Sequence, residues 1–239
     1  MIRNGQGPQD KSLLLIGSGR LARHLSFYLQ LSKTPFQTWS RDRQSVEELR
    51  TLLSHASTVA LAISDDALGG FIDDVLGSFA GRIVHFSGSW HRDGVISVHP
   101  LMSFGTELYP ESFYPKIHFA LTGADSLRDL FPNWSNSFSK ISAEQKPLYH
   151  ALCVLGGNFP VLLWNKMESD LKAMGLPEEG VRLYIQRVSE NYLKMGSLAL
   201  TGPLVRKDKS TIQKNLAALS RDHWEKVYRA FREVTDEHS

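Results

Sequence analysis

The chain has 239 residues, 42% hydrophobic and 22% charged, with 18 Gly and 10 Pro; this excludes a disordered or collagen-like chain and allows one large domain or two modest ones. Its 27 Lys and Arg against 25 Asp and Glu leave a formal net charge of +2. Acids interrupt the basic residues, Asp42 lying between Arg41 and Arg43 and Asp208 beside Arg206, Lys207 and Lys209, so the field is too thin for a nucleic-acid or anionic-membrane surface. The single Cys153 excludes an intrachain disulfide and suits a reducing compartment.

Residues 1–12 are polar, lack the apolar core of a signal peptide and read as a tail before the first strand. Residues 13–16 are a short apolar run stopped by Gly17, the pattern of a buried parallel strand. Leu21, Leu25, Tyr28 and Leu29 then recur at helical spacing. A second strand is expected over 36–40, a helix over 45–53 and a buried strand over 59–63. Ser64 or Asp65 is placed to cap a helix running towards Leu76. Further strands are expected over 83–86, 95–98 and 117–121. This alternation predicts an α/β fold, a Rossmann-like doubly wound parallel sheet covered on both faces.

Near Lys146 the strand signal ends. The longest apolar stretch, 151–164, is interrupted by Gly156, Gly157, Asn158 and Pro160 and reads as too short to span a bilayer. Val181, Ile185, Val188, Tyr192 and Met195 form one helical stripe, and Trp224, Val227, Tyr228 and Phe231 another. Ser210 with Gln213 suggests a capping box opening a helix through Leu219. The expected organisation is a Rossmann-like domain over 1–144 and an all-helical C-terminal domain over 145–239, in a cytoplasmic protein without membrane or nucleic-acid partners.

Gly17, Ser18, Gly19, Arg20, Leu21 and Ala22 fit G-x-G-x-x-G/A between the first strand and the first helix, the context of a dinucleotide-binding turn. Gly17 permits the tight turn, Gly19 lets backbone approach a pyrophosphate, and Ala22 lets helix pack on strand. The helix N-terminus presents free N–H groups to the phosphates. An NAD site expects an acid about 20 residues after the glycines. The second strand ends instead on Ser40 and Arg41, a hydroxyl and a guanidinium that suit the 2′-phosphate of NADP. A register slip of two would put Asp42 there and favour NAD.

Ser64, Asp65 and Asp66 follow a strand at the carboxyl edge, where they either cap the next helix or take part in cofactor binding and acid–base work. Ser87-Gly88-Ser89 lies at the same edge without the G-x-S-x-G elbow of a hydrolase. Ser87 is therefore assigned to the cofactor, with small residues leaving room for a nicotinamide ring. The histidines show no metal-ligand spacing, so no metal is expected.

With these motifs, Leu61-Ala62-Ile63-Ser64-Asp65-Asp66, His99-Pro100-Leu101, Leu148-Tyr149-His150-Ala151 with Asn158, and 200–208 (LTGPLVRKD), the chain resembles an uncharacterised Rossmann-like family. That family has a C-terminal helical domain of unknown function and lies within the β-hydroxyacid dehydrogenase/pyrroline-5-carboxylate reductase superfamily. The resemblance runs from residue 13 to about 219. It implies an NADP-binding domain, an active site in a cleft, and a homodimer through the helical domain. Dehydrogenase members carry a catalytic Lys four residues before an Asn; here Asn158 has Val154 at that position. The resemblance to pyrroline-5-carboxylate reductases makes Thr201, in Thr201-Gly202-Pro203, a polar contact in the cleft. Arg206 holds a substrate carboxylate or pairs with Asp208. His99 and His150 are candidate proton donors, with Asn158 and Thr201 holding a water as the alternative, and a structural hydrogen bond is the competing role for His99. Lys207 stands where the family tends to have glycine.

Two functions follow. The first is an NADP-dependent oxidoreductase moving a hydride between nicotinamide and the C=O or C=N carbon of a small metabolite. The second is a non-catalytic NADP(H)-binding regulatory or interaction protein, motivated by the missing lysine.

Overall fold

A computed structural model describes residues 12–237; the N-terminal residues 1–11, most of the expected tail, lie outside that range. β1 (Ser12–Ile16), α1 (Arg20–Leu31), β2 (Phe36–Trp39), α2 (Val46–His55), β3 (Ala56–Leu61), α3 (Asp65–Val75) and β4 (Arg82–His85) follow one another in strand–helix alternation. β5 (Ile96–Pro100), β6 (Phe119–Thr122) and β7 (Phe138–Lys140) complete a seven-stranded sheet of order β2-β1-β3-β4-β5-β6-β7.

The apolar run of β1 shows how sequence makes this layer. Side chains alternate across a strand, so Leu13 and Leu15 enter one core, with Leu25, Tyr28 and Leu29 of α1. Leu14 and Ile16 enter the other, with Leu49 of α2 and Leu68 and Ile72 of α3. Each such side chain contributes roughly 1.5–3 kcal/mol by leaving water. The chain leaves β1 to form β2 on one side and returns to form β3 on the other. The carboxyl ends of β1 and β3 are therefore a topological switch point, where open sheets take their ligands.

The sheet departs from the fully parallel expectation at one pair, because β6 runs antiparallel to β5. Only a short 3-10 turn, Glu111–Lys116, lies between them as helix, so no full crossover returns the chain in parallel. β7 was not expected. It is an exposed edge strand of Phe-Ser-Lys, with no apolar run to announce it. α2 carries a full capping box: the Glu48 N–H donates to Ser45 Oγ (3.2 Å) and the Ser45 N–H to Glu48 Oε2 (2.7 Å).

α4 (Lys146–Cys153) passes through a π turn (Val154–Asn158) into α5 (Phe159–Ala173). The expected interruption at Gly156, Gly157 and Pro160 is thus a widened turn rather than a break. The Phe159 N–H reaches back to the Val154 carbonyl, and Pro160, which has no N–H to place, follows at once. The resulting 28-residue run, Lys146–Ala173, is long and apolar enough to cross a membrane by length and composition alone, although the apolar stretch 151–164 within it is too short to do so. It begins at Lys146, which is fixed in the sheet domain, and carries the Lys166–Asp170 ion pair (2.7 Å) in its later turns.

The chain divides into two compact units, 1–160 and 161–239. In the second, α6 (Glu178–Met195), α7 (Lys209–Ala218) and α8 (Trp224–Glu237) match the expected helical stripes. The α7 cap differs: Asp208 accepts from the Thr211 N–H (3.0 Å), displacing Ser210 from that role. Of the α6 stripe only Val181 is buried; Tyr192 is 64% exposed, and Val188 and Met195 are also open to solvent.

Lys207 has φ +53°, the left-handed region that favours glycine. Lys207→Gly is expected to raise stability by about 1 kcal/mol, read as a higher denaturation midpoint with unchanged slope.

Candidate functional site

Gly17 has φ +137°, and a Cβ there would overlap the carbonyl oxygen of Ala62 at the end of β3. The turn after β1 is therefore fixed by close approach to its neighbouring strand. Gly19 is different. Its φ of −71° suits any residue, and a Cβ there would meet nothing within 4 Å. Gly19 is the N-cap of α1 and offers no side-chain cap, so the helix's first N–H groups face outwards. Ala22 is buried in the α1 core, as helix-on-strand packing requires.

Over this turn lies a cavity of about 670 Å³. Ser18, Gly19, Arg20 and Leu21 of the turn line it, together with Ser40, Arg41 and Asp42 after β2 and Ser64 after β3. Asn158, from the π turn, also lines it. A second cavity of about 290 Å³ adjoins it past Gly17 and Ser40 and is lined by Arg23 and Arg43. The hydroxyl of Ser40 leads, with that of Ser18 assisting, in holding the Asp42 carboxyl below its usual range. Both Arg41 and Asp42 line the cavity, and Asp42 Oδ2 also stands 3.8 Å from Arg43 Nε.

Asp65 and Ser87, expected at the cofactor, are engaged with each other. Asp65 Oδ2 accepts from Ser87 Oγ (2.6 Å) and Ser89 Oγ (2.9 Å). Ser87 Oγ also accepts from the Trp90 N–H (2.9 Å), which leaves that hydroxyl committed within the chain. The N-cap of α3, Ser64, makes no side-chain capping bond. The capping expected of Ser64 or Asp65 is therefore replaced by a carboxylate–serine clasp between α3 and the loop after β4. Asp65 and Asp66 still place negative charge at the helix's positive end.

A further cluster lies at the carboxyl edge of the sheet. His99 on β5 and His150 on α4 are brought edge-to-face, with ring centroids 6.3 Å apart. Gly88 is what admits them. A Cβ there would stand 2.6 Å from His150 Cδ2 and 3.0 Å from His99 Nε2. The room that Gly88 leaves, expected for a nicotinamide ring, holds two imidazoles. His99 Nδ1 is hydrogen-bonded to Tyr149 Oη at 2.7 Å. Burial, then the charge of Lys146, then His150, lowers the His99 pKa to about 4, so the ring is neutral at pH 7. Burial raises the Tyr149 pKa, and the phenol keeps its proton. The Tyr149 hydrogen bond occupies Nδ1 of His99, and Nε2 lies on the side of Gly88.

Lys146 was not singled out from the sequence. It is wholly buried, its Nζ donating to Ser97 Oγ (2.6 Å) and to the Ser87 carbonyl (3.1 Å). Burial lowers its pKa to about 8. Lysine is ordinarily a surface residue, and these partners lie 49 and 59 positions away in sequence. The one local signal was that Lys146 stands four residues before His150, on the same helix face.

His85, on β4, is also fully buried. Its Nδ1 accepts from the Ser87 N–H (3.1 Å), while Nε2 has no hydrogen-bond partner and the ring stands edge-on to Trp90 at 4.9 Å. Burial, then Lys146, lowers its pKa from 6.5 to about 3. Between those values the unfolded chain binds the additional proton, so this contribution to stability is complete above pH 6.5 and is lost as pH falls towards 3. Denaturation at pH 4.5 is expected to require roughly 2–3 kcal/mol less than at pH 7, a difference reduced in His85→Phe.

Thr201 and Arg206 lie in the second unit, both exposed. Arg206 stands close enough to Asp208 to help lower that carboxyl's pKa, after the leading hydrogen bonds from Thr211. Among the described residues no three His, Cys, Asp or Glu side chains are grouped to hold a metal.

Residues 118–235 match the family model described as a domain of unknown function, DUF2520. No curated protein matches the chain. Among solved structures, a Bacteroides fragilis protein named as a candidate NADP oxidoreductase superposes with TM-score 0.75 at 22% identity, covering 96% of this chain and 99% of that one. A Thermotoga maritima protein gives 0.70 at 23%, with 94% and 97% covered. The Plasmodium falciparum pyrroline carboxylate reductase, with NADP bound, gives 0.57 at 12%, with 97% and 98% covered. The domain match and these folds bear out the expected resemblance to an uncharacterised family with a Rossmann-like fold.

Proposed function

We propose that this chain, which carries a DUF2520 domain and has a Rossmann-like fold, is an NADP-dependent oxidoreductase acting on a C=O or C=N group of a small metabolite in the cytoplasm. The observation that carries the reading is Gly19: it is glycine without any need from its own φ or its neighbours, at the N-terminus of α1 and lining a cavity at the sheet's switch point. A glycine kept free of side chain there fits close approach of a diphosphate to the helix N–H groups.

In this reading the Gly17–Ala22 turn holds the diphosphate, and Ser40 with Arg41 holds the 2′-phosphate. Arg43, in the adjoining cavity, offsets the charge of Asp42 at that end, 3.8 Å from its carboxylate. NADP, named in the Plasmodium falciparum neighbour, is preferred over NAD because the Arg41 guanidinium lines the cavity beside Ser40. When bound, the cofactor supplies or accepts the hydride at nicotinamide C4. The His99–His150 pair, with Tyr149 behind it, handles the proton at the substrate oxygen or nitrogen. Asn158 reaches the cavity as a polar group for orientation. A homodimer is part of this proposal: Leu148 (66% exposed), Leu152 and Leu155 along the α4 run, and Tyr184 and Tyr192 on α6, present apolar surface that a second copy would cover.

The test is oxidation of NADPH, followed by loss of its absorbance, with a panel of small keto acids, aldehydes and cyclic imines. Turnover with one chemical class is the expected result. NADPH binding without turnover on any class, together with a change in association state, would support the regulatory reading instead.

A further inference from the structure

We propose that Lys146 is the positioning residue of the histidine pair: its buried Nζ ties α4 to β5 and to the turn after β4, and it sets a fixed positive charge facing His99. This inference rests on the reading of His99 and His150 as the proton-handling groups.

The geometry is specific. Lys146 opens α4, the helix that carries Tyr149 and His150 one turn later. Its ammonium donates to the Ser87 carbonyl, which precedes Gly88, and to Ser97 Oγ, two residues before His99. Ser97 Oγ donates in turn to the same Ser87 carbonyl (3.2 Å). One side chain therefore fixes the three backbone segments whose meeting puts His150, Gly88 and His99 in contact. An apolar side chain of similar length would fill the space but leave the Ser87 carbonyl one donor short.

Charge adds a second role. His99 is faced by Lys146, His150 and Tyr149 from α4, by Asp65 from α3 and by His85 from β4. Asp65 favours a protonated ring, whereas Lys146 opposes it, and burial removes the water that would otherwise screen both. Burial is the larger cause of the lowered His99 pKa, and the buried ammonium adds to it as a fixed positive charge.

The experiment is a pH titration of the His99 imidazole by NMR in the full chain, its resonance assigned with His99→Gln, in the parent and in Lys146→Met. The expected result is a His99 midpoint at least one pH unit higher in the variant, with the acid limb of kcat/KM moving by the same amount. An unmoved midpoint and limb in a folded Lys146→Met protein overturn the proposal. If that variant does not fold, the parent alone decides. His99 should then show a second chemical-shift inflection coincident with the titration of Lys146 Nζ, and absence of that inflection overturns the proposal. His99→Ala separates the two readings. If it leaves NADPH turnover intact while Lys146→Met moves the His99 midpoint, the catalytic reading fails and the electrostatic coupling stands. Loss of turnover in His99→Ala with an unmoved midpoint in Lys146→Met does the reverse.

Discussion

Gly19→Ala is expected to fold within about 1 kcal/mol of the parent, the cost of an alanine at a helix N-cap, and to bind NADPH at least a hundredfold more weakly. The added methyl meets nothing in the chain, so only a ligand lying against the turn can register it. Gly17→Ala is the contrasting variant. Its methyl would overlap the Ala62 carbonyl oxygen at a φ of +137°, so destabilisation of about 3 kcal/mol or more is expected whether or not cofactor is present. Thermal melts with and without NADPH, beside a binding titration, separate the two. Parent-like affinity in a folded Gly19→Ala protein would remove the main support for a dinucleotide on this turn.

The second large effect concerns the histidines. His99→Ala and His150→Ala are each expected to lower kcat by 10²–10⁴ while leaving the NADPH dissociation constant within about threefold, since neither lines the cofactor cavity. Gly88→Ala should reproduce that loss with both histidines retained, because its methyl would displace the rings from the space they occupy. The pH profile carries a sign. His99 is depressed to about 4, so a reaction that needs its neutral form persists well below the ordinary histidine value of 6.5 and fails only as pH approaches 4. An acid limb centred near 6.5 would mean that His99 is not the group being titrated.

The legible parts of the sequence are those in which one segment states its own environment. The apolar run of β1, the glycines after it and the helical spacing of α1 lie within twenty residues and imply one another. The cluster around Gly88 is different, because it is assembled from β4, β5 and α4. His99 and His150 were singled out separately, yet their contact needs a glycine from a third segment. Lys146 was passed over because its partners are a backbone carbonyl and a serine hydroxyl, which carry no sequence signal. Counting four residues back from Asn158 finds only Val154. The π turn was hidden for a related reason: Gly156, Gly157 and Pro160 weaken a regular helix, and a one-residue widening of the turn resolves the conflict without ending it. At α7, Ser210 and Gln213 fit a capping pattern, but Asp208 lies two residues earlier and makes the bond.

The most direct test of the central claim is a paired titration of the purified protein with NADPH and NADH, read by nicotinamide fluorescence and repeated in Arg41→Ala. NADPH binding at least tenfold tighter than NADH, with the difference reduced in Arg41→Ala, is the predicted result. Preference for NADH would instead assign the ribose to Asp42. Binding of neither would contradict the account.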